Sequence, residues 1–319
     1  MTAQEFILQK LEHLNDPSVQ KTIPDTELAD FIFKAVMNKH FRKYSVTPEY
    51  FEKIKIAINI NLEKNEPIKF SFPFGAYKLW RLEETPETDW AELFTLMYYT
   101  EWLMPIAKIY KPGIWFDFSS DEIIVERMNN IPTSETESYA KSFNSVLNFL
   151  QSYLPKNIKY SLTPVRSLYT PKEFENDLKD KIKKMEEKLG GLPTLDDKHK
   201  HMVELNVKLK PEQDKDPKWR EKIELIHQAY YTVDRRRPYN RAKEKIITFV
   251  TKMSDCVAVG TTKSSIAKFW VGVGALKKQN NTFMEYVLSP SQIEKTQFIW
   301  EPIKIEGLTG KNFHQIRVF

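Results

Sequence analysis

The chain has 319 residues, of which 41% are apolar, 13% aromatic and 29% charged. This composition belongs to a folded globular protein with a sizeable core, and it excludes wholesale disorder. The net charge of +5 permits an anionic ligand without demanding a nucleic acid. The single cysteine, Cys256, excludes an intrachain disulfide and a cysteine-built metal site, and it suits a reducing compartment.

Several common signals are missing from the sequence. No basic segment precedes an apolar one at the N-terminus, and no apolar run approaches about 18 residues, so we expect no export signal, no membrane span and a cytoplasmic location. The phosphate-loop motifs GxGxxG and GxxxxGK are both absent, and no pair of the six histidines has metalloenzyme spacing. We therefore expect no cofactor and no metal, with His199 and His201 in a surface loop.

The first 66 residues are predicted to be helical. Asp25 opens one apolar-periodic helix, and Thr47 followed by Pro48 is a typical start of another. In the latter, the isoleucines between 54 and 60 also alternate as they would in a strand. The capping signal and the spacing of Ile54 and Ile58 favour the helix.

From residue 68 onward, short apolar strands alternate with helices. Strands are predicted at 68–74, 113–119 and 158–162, with EIIVERM at 122–128 as a further extended segment. A capping box at Asp89 starts a long helix that Pro105 should disturb, and Ser134 should cap the next helix. This rhythm predicts an α/β fold with a Rossmann-like mixed sheet flanked by helices. Its ligand crevice should lie at the strand ends, at 73–78, 119–122 and 163–166.

A charged helical excursion follows, beginning with a helix from Pro171 to the stop at Gly190. Acidic and basic residues are interleaved over 171–222, which favours a solvated face over a nucleic-acid stripe. A helix through Trp219 and Tyr230, a helix ending near Met253, and a run of strands over 256–319 complete the chain. The predicted parts are a helical region (1–66), the first part of the core (67–170), the excursion (171–245) and the β-rich remainder of the same core (246–319).

Two predicted strand ends carry polar groups that could perform chemistry. The segment 118–122 supplies two hydroxyls and two carboxylates, which could orient an ammonium group or act as a base, and the alternative is an ordinary Ser-Asp turn. The segment 259–268 supplies a glycine, hydroxyls and lysines that could bind a phosphate. A plain hairpin turn would have the same composition.

The order of several short motifs is more specific than any one of them. These motifs are Phe72-Pro73-Phe74, Lys78-Leu79, Pro86-Glu87, Ala91-Glu92, Tyr110-Lys111-Pro112-Gly113, Ser120-Asp121 and Tyr139. Together they resemble the pyoverdine/dityrosine biosynthesis family of isocyanide (isonitrile) synthases, with a looser match at 260–268. The sequence departs from the family pattern at Gly75-Ala76-Tyr77 and at Glu122, where the family has Lys-Ser-Pro-Asn and Gly.

The resemblance implies an enzyme of transferase or lyase type that converts the α-amine of an amino acid to an isonitrile. The implied carbon donor is a ketose phosphate such as ribulose 5-phosphate, and no redox cofactor is implied. The catalytic assignments are Asp121 and Glu122 for the amine and Lys78 for an anionic group. The assignments for substrate binding are Arg81, Ser120, Thr261, Lys263, Lys268, Arg235 and Arg236. For each lysine, a surface or packing role is the alternative to substrate binding. For Arg235 and Arg236, the alternative is a cluster of charges at a helix end.

The sequence therefore predicts small-molecule partners, an amino acid and a sugar phosphate. The alternative is a nucleic-acid-binding or metabolite-binding protein without catalysis, motivated by the basic residues and by the departures from the family pattern. The interleaved acids disfavour nucleic acid.

Overall fold

The computed structural model describes residues 1–14, 23–41, 46, 48–75, 78–167, 171–230, 232, 255–259 and 272–319. Within these residues, two four-stranded sheets are accompanied by helices at the N-terminus, between the strands and in the charged excursion. The segment containing Arg235 to Arg237, the predicted helix near Met253 and the turn at 260–268 lie outside the described residues.

The N-terminal helices are α1 (Ala3–His13), α2 (Asp25–Val36) and α3 (Pro48–Glu63), with a short 3-10 turn at Lys39–Phe41. The burial of the isoleucines shows why α3 is a helix and not a strand. Ile54 and Ile58, one helical turn apart, are buried, whereas Ile56 is 48% exposed. An alternating strand would have placed all three on one face.

The first sheet is entirely parallel and confirms the predicted α/β fold. Its strands are β1 (Ile68–Phe74), β2 (Ile114–Ser120), β3 (Ile158–Pro164) and β4 (Val257–Ala258), in the order β3-β2-β1-β4. Phe74, Ser120 and Pro164 are partners in the register, so the three long strands end at the same edge. Because β4 pairs with β1, the C-terminal part of the chain contributes to the same sheet.

The helices between these strands are α4 (Trp90–Ile109), α5 (Glu122–Asn129) and α6 (Thr133–Gln151), and a 3-10 turn (Val165–Ser167) follows β3. The capping box of Asp89 and Glu92 at the start of α4 is confirmed, although the helix continues through Pro105 to Ile109. Helix α6 starts at Thr133 without the expected side-chain cap.

The segment 122–128, predicted to be extended, is wrong as a strand because it forms most of α5. Its short apolar run fits both structures, and its buried apolar residues, Ile124 and Val125, pack in a cluster with Phe174 and Tyr230 rather than in the sheet. Asn130, in a left-handed conformation with φ of 56°, ends this helix.

An aromatic layer lies between one face of the first sheet and helices α4 and α6. Phe116 and Phe118 on β2 are fully buried, with ring centroids 4.7 Å apart, and Tyr99 of α4 stacks on Phe116 at 5.1 Å. Burying each such ring stabilises the fold by about 1.5–3 kcal/mol. This layer fixes the sheet against its helices and thereby fixes the positions of the strand ends.

The charged excursion consists of α7 (Pro171–Leu189), α8 (Asp197–Asn206), α9 (Pro211–Asp214) and α10 (Trp219–Tyr230). Phe174 and Leu178 of α7 are buried in one apolar cluster with Tyr230 of α10. The expectation that His199 and His201 occupy a loop is wrong, since both lie in α8. There Asp196 caps the helix by accepting from the His199 N–H at 2.8 Å.

The second sheet contains β5 (Val273–Gln279), β6 (Thr282–Leu288), β7 (Ile299–Pro302) and β8 (Gln315–Val318), in the order β6-β5-β8-β7. A short helix α11 (Pro290–Ile293) and a 3-10 turn (Lys311–Phe313) complete this part. Gly274 of β5 lies directly against α4, where a Cβ atom would come within 2.3 Å of the Trp90 Cβ. No helix among the described residues is long and apolar enough to cross a membrane.

Candidate functional site

A cavity of about 570 Å³ opens at the carboxyl ends of β1 and β2. One side is formed by Phe74, Gly75 and Asp121 at the strand ends, and the other by helices α5, α8 and α10. The apolar part of its lining is Ile124, Val125, Met128, Met202, Val203, Val207 and Ile223. The cavity therefore lies at the sheet edge where ligands of parallel α/β proteins bind.

Asp121 is held in this cavity from two sides. Its N–H donates to the carbonyl oxygen of Phe74 at 2.9 Å, which fixes the residue to the end of β1. Its carboxylate accepts a hydrogen bond from the Tyr230 hydroxyl of α10. Asp121 is partly exposed, so a carboxylate in a fixed position faces the cavity, where it could pair with an ammonium group or accept a proton.

Helix α10 adds further polar groups to the cavity. Glu224, His227 and Tyr230 all line it, and the Nδ1 of His227 lies 3.4 Å from the Oε2 of Glu224. Glu224 also accepts from the amide of Gln228 at 2.9 Å. His199 of α8, with a side chain that is 62% exposed, lines the cavity from the side of the solvent.

The described lining of the cavity contains no lysine or arginine. Its charged residues are the acids Asp121 and Glu224, accompanied by the imidazoles of His199 and His227. Such a lining suits a cationic or neutral group and gives no strong partner to a phosphate. Sequence reasoning missed the contribution of α8 and α10, because it assigned the excursion to solvent. A histidine beside the apolar stripe of α10 was the available signal.

Glu122 and Ser120 are adjacent to Asp121 in sequence but do not line the cavity. Both are buried, and the Ser120 hydroxyl donates to Glu122 Oε2 at 2.5 Å. Glu122 also accepts from the backbone N–H groups of Val165 at 3.2 Å and Arg166 at 2.7 Å. Burial raises the pKa of the Glu122 carboxyl, and these hydrogen bonds oppose the rise. The pair thus ties the end of β2 to the turn after β3, and its predicted contact with substrate stays a prediction.

Lys78 is also buried, with only 4% of its side chain exposed. Its Nζ lies 2.9 Å from Asp89 Oδ1, 2.8 Å from each oxygen of Glu92 and 2.9 Å from the carbonyl oxygen of Gly272. Burial lowers the pKa of this ammonium group, but the carboxylates of Asp89 and Glu92 outweigh it and leave the pKa raised. The three N–H donors are thus occupied by protein oxygens, and the predicted role of Lys78 toward an anion stays a prediction.

Lys78 and its partners join four parts of the fold, namely the segment after β1, α4, α6 and β5. Asp89 accepts from the N–H groups of Ala91 in α4, at 2.7 Å, and Gly274 in β5, at 3.2 Å. Tyr139 of α6 donates to Glu92 at 3.1 Å. Burial raises the pKa of Glu92 from 4.5 to about 7, against the opposing effect of the Lys78 ammonium. We refer to Lys78, Asp89, Glu92 and Tyr139 as the Lys78 network.

Asp117, in the middle of β2, is another buried carboxylate. It accepts from Ser161 at 2.6 Å, Thr163 at 2.8 Å and Ser119 at 3.2 Å, all on the sheet face opposite the aromatic layer. Burial raises its pKa from 3.8 to about 7, and the three hydroxyls oppose that rise. Asp117 does not line the cavity.

The remaining predicted site residues fall into two groups. Arg81 donates from Nη2 to the carbonyl oxygen of Glu204 in α8 at 3.1 Å, and its guanidinium lies 4.7 Å from the centroid of the Trp80 ring. The others, which are Thr261, Lys263, Lys268, Arg235 and Arg236, lie outside the described residues. In the part of the chain that the structure describes, no group of three or more His, Cys, Asp or Glu side chains could hold a metal ion.

Comparison with known proteins shows a shared fold. No family model matches the chain, and no curated protein sequence matches it. The structure is similar to the crystal structure of the PvcA protein from Pseudomonas aeruginosa, with a TM-score of 0.58 and 14% sequence identity. The match covers 91% of this chain and 99% of that chain. Since the likeness extends over nearly the whole of both proteins, the two chains share an α/β fold.

Proposed function

We propose that the chain is a biosynthetic enzyme of the isonitrile synthase type. In this proposal it acts on the α-amine of an amino acid and takes one carbon from a ketose phosphate such as ribulose 5-phosphate. One observation carries the proposal: Asp121, in the Ser-Asp motif at the end of β2, lines a cavity at the ligand-binding edge of a parallel sheet. The motif order over 72–139 and the fold shared with PvcA support it.

The cavity matches the amine substrate in size and polarity. Its volume of about 570 Å³ is in the range of small-molecule sites, which is about 300–1,000 Å³. The Asp121 carboxylate would pair with the ammonium group, and the apolar wall of α5, α8 and α10 would receive an apolar side chain. An amine must lose a proton before it attacks a ketone, so the reaction requires a base beside this position.

The sugar phosphate requires cationic partners that the described lining of the cavity does not supply. We assign this role to the basic residues that the sequence singled out, Lys263, Lys268, Arg235 and Arg236, together with the hydroxyl of Thr261. Under this assignment the amine and the phosphate bind to different parts of the chain.

A metabolite-binding protein without catalysis is the second candidate. The observation that favours it is the engagement of Glu122 and Lys78, two of the three assigned catalytic groups, in hydrogen bonds that hold the fold together. A nucleic-acid-binding role is disfavoured, because lysines of the excursion pair with nearby acids, as Lys184 does with Asp180 at 2.8 Å.

The test is incubation of the purified protein with pooled amino acids and ribulose 5-phosphate, followed by tetrazine trapping and mass spectrometry. We expect an isonitrile adduct that requires both substrates and that disappears in Asp121→Asn. The matched control, Asp180→Asn, changes an exposed aspartate of α7 and should leave the adduct unchanged. Absence of the adduct, with a thermal shift from amino acids, would support the binding protein. Absence of both would overturn the proposal.

A further inference from the structure

Phe74 lies between the large cavity and a smaller one inside the protein. The smaller cavity, here called the inner cavity, has a volume of about 20 Å³ and is lined by Phe74 and by side chains of β2, α4 and α6. Among the described residues, only Phe74 lines both cavities. We infer that the Phe74 ring restricts the site to amines that carry a single large apolar group, because it closes the inner cavity to the ligand. The inference rests on the proposed function, since it concerns the amine site of that proposal.

The ring of Phe74 ends the aromatic layer at the carboxyl edge of the first sheet. Its centroid lies 5.5 Å from that of Phe143 on α6 and 5.9 Å from that of Phe118 on β2. Both neighbours line the inner cavity and are only 3% and 1% exposed, whereas Phe74 is partly exposed. Glu92 and Tyr139 of the Lys78 network line the inner cavity as well. The ring therefore separates the aromatic layer and the network from a ligand in the large cavity.

The position of Phe74 in the sheet places it beside the amine site. Its carbonyl oxygen accepts a hydrogen bond from the N–H of Asp121 at 2.9 Å, and it is the partner of Ser120 in the parallel register. The carbon atom attached to a bound amine therefore lies close to Phe74. A group on this carbon can extend along the apolar wall of α5, α8 and α10. A second large group that points toward the aromatic layer meets the Phe74 ring.

Shortening Phe74 to alanine should join the two cavities. A volume of about 20 Å³ holds about one water molecule, so the inner cavity has no room for a substituent while the ring is in place. When a large side chain in a packed layer is shortened, the surrounding structure relaxes only in part and leaves space behind. A phenyl group of a ligand has the shape of the lost ring and can occupy that space.

The test compares the binding of two amines to the whole protein by isothermal titration calorimetry. Phenethylamine carries one phenyl group, and 1,2-diphenylethylamine carries two. Relative to phenethylamine, Phe74→Ala should bind 1,2-diphenylethylamine about tenfold more tightly than wild type does, because the second phenyl group becomes buried. Phe74→Leu retains more of the side chain and should shift the preference in the same direction by a smaller factor. This milder variant keeps the test decisive if Phe74→Ala does not fold.

Phe143→Ala is the matched control, because Phe143 lines the inner cavity but not the large one. This substitution removes a phenyl group from the same aromatic layer and leaves the Phe74 ring in place. It should therefore keep the preference of the wild type between the two amines.

The outcomes separate the inference from the proposed function. An unchanged preference in the folded Phe74 variants, or an equal shift in Phe143→Ala, would overturn the inference. Failure of wild type and variants to bind either amine would overturn both the amine site and the inference. A shifted preference in the Phe74 variants alone, without isonitrile formation by the wild type, would support the inference and contradict the proposed catalysis.

Discussion

The Lys78 network and the cavity lined by Asp121 and His227 lie near the same edge of the first sheet, but the surroundings of their charged groups are opposite. In the network, the ammonium group is 4% exposed and all its donors are bound to protein oxygens. In the cavity, a partly exposed carboxylate and a 39% exposed imidazole face about 570 Å³ of space. The groups of the Lys78 network are already bound to one another, whereas the groups that line the cavity can contact a ligand.

The difference shows that a charged residue at a strand end is not by itself a site. Lys78 and Asp121 both belong to the motifs that resemble the isonitrile synthase family, and both were assigned catalytic roles. What separates them is the set of partners, and one partner of Lys78 is the carbonyl oxygen of Gly272, 194 residues further along the chain. A contact between residues so far apart in the chain cannot be predicted from the local sequence.

Lys78→Met should give the largest change in stability. Without the ammonium group, Asp89 and Glu92 become buried carboxylates without a counterion, which costs about 3–5 kcal/mol of the free energy of unfolding. Urea denaturation at neutral pH measures the change. Lys34→Met is the control, because its partner Asp30 lies in an exposed pair and its loss should leave the urea midpoint unchanged. Equal midpoints for Lys78→Met and wild type would contradict the structural role of the network.

Asp117→Asn should change how stability depends on pH. The pKa of Asp117 is about 7 in the folded protein and 3.8 ordinarily, so between these values the folded state retains a proton that the unfolded state releases. Its contribution to stability is therefore full below about pH 4 and is lost as the pH rises through about 7. Relative to wild type, the free energy of unfolding of Asp117→Asn should gain about 1.4 kcal/mol per pH unit across this window.

The control for this prediction is Asp180, whose pKa shift has the opposite sign to that of Asp117. The hydrogen bond from Lys184 lowers the pKa of Asp180, so its contribution is present above pH 3.8 and is lost as the pH falls. Asp180→Asn should accordingly show no gain between pH 4 and pH 7. Urea denaturation at pH 4, 5.5 and 7 gives both curves, and parallel curves for wild type and Asp117→Asn would show that Asp117 stays ionised in the folded protein.

The main strands could be predicted from the sequence because their signal is local. Alternation and apolar runs identified β1, β2 and β3, and a Pro at the first helical position identified α3 despite its alternating isoleucines. The prediction of an extended segment at 122–128 failed for a physical reason. Its few apolar residues fit either period, and packing against Phe174 and Tyr230, far along the chain, favours the helix.

The candidate site could be predicted only in part. The position of Asp121 followed from the rule that parallel strands end at one edge. The contribution of α10 did not, because the ion pairs on the excursion resemble a solvated surface and only its inner face meets the core. His227 and Tyr230 line the cavity through tertiary packing of α10 on α5 and α7, which no spacing within the sequence expresses.

Breaking an exposed ion pair of α7 should give the smallest change in stability of the substitutions considered. Lys184 lies 2.8 Å from Asp180, as close as Lys78 lies to Glu92, but its side chain is 63% exposed. Because water solvates each charge separately, forming the pair stabilises the folded state very little. Lys184→Gln should leave the urea midpoint unchanged and should not alter binding to a single-stranded oligonucleotide, measured by fluorescence anisotropy from 50 to 200 mM salt. A lowered midpoint, or a salt-dependent affinity that the substitution weakens, would show that burial does not decide which charges of this protein matter.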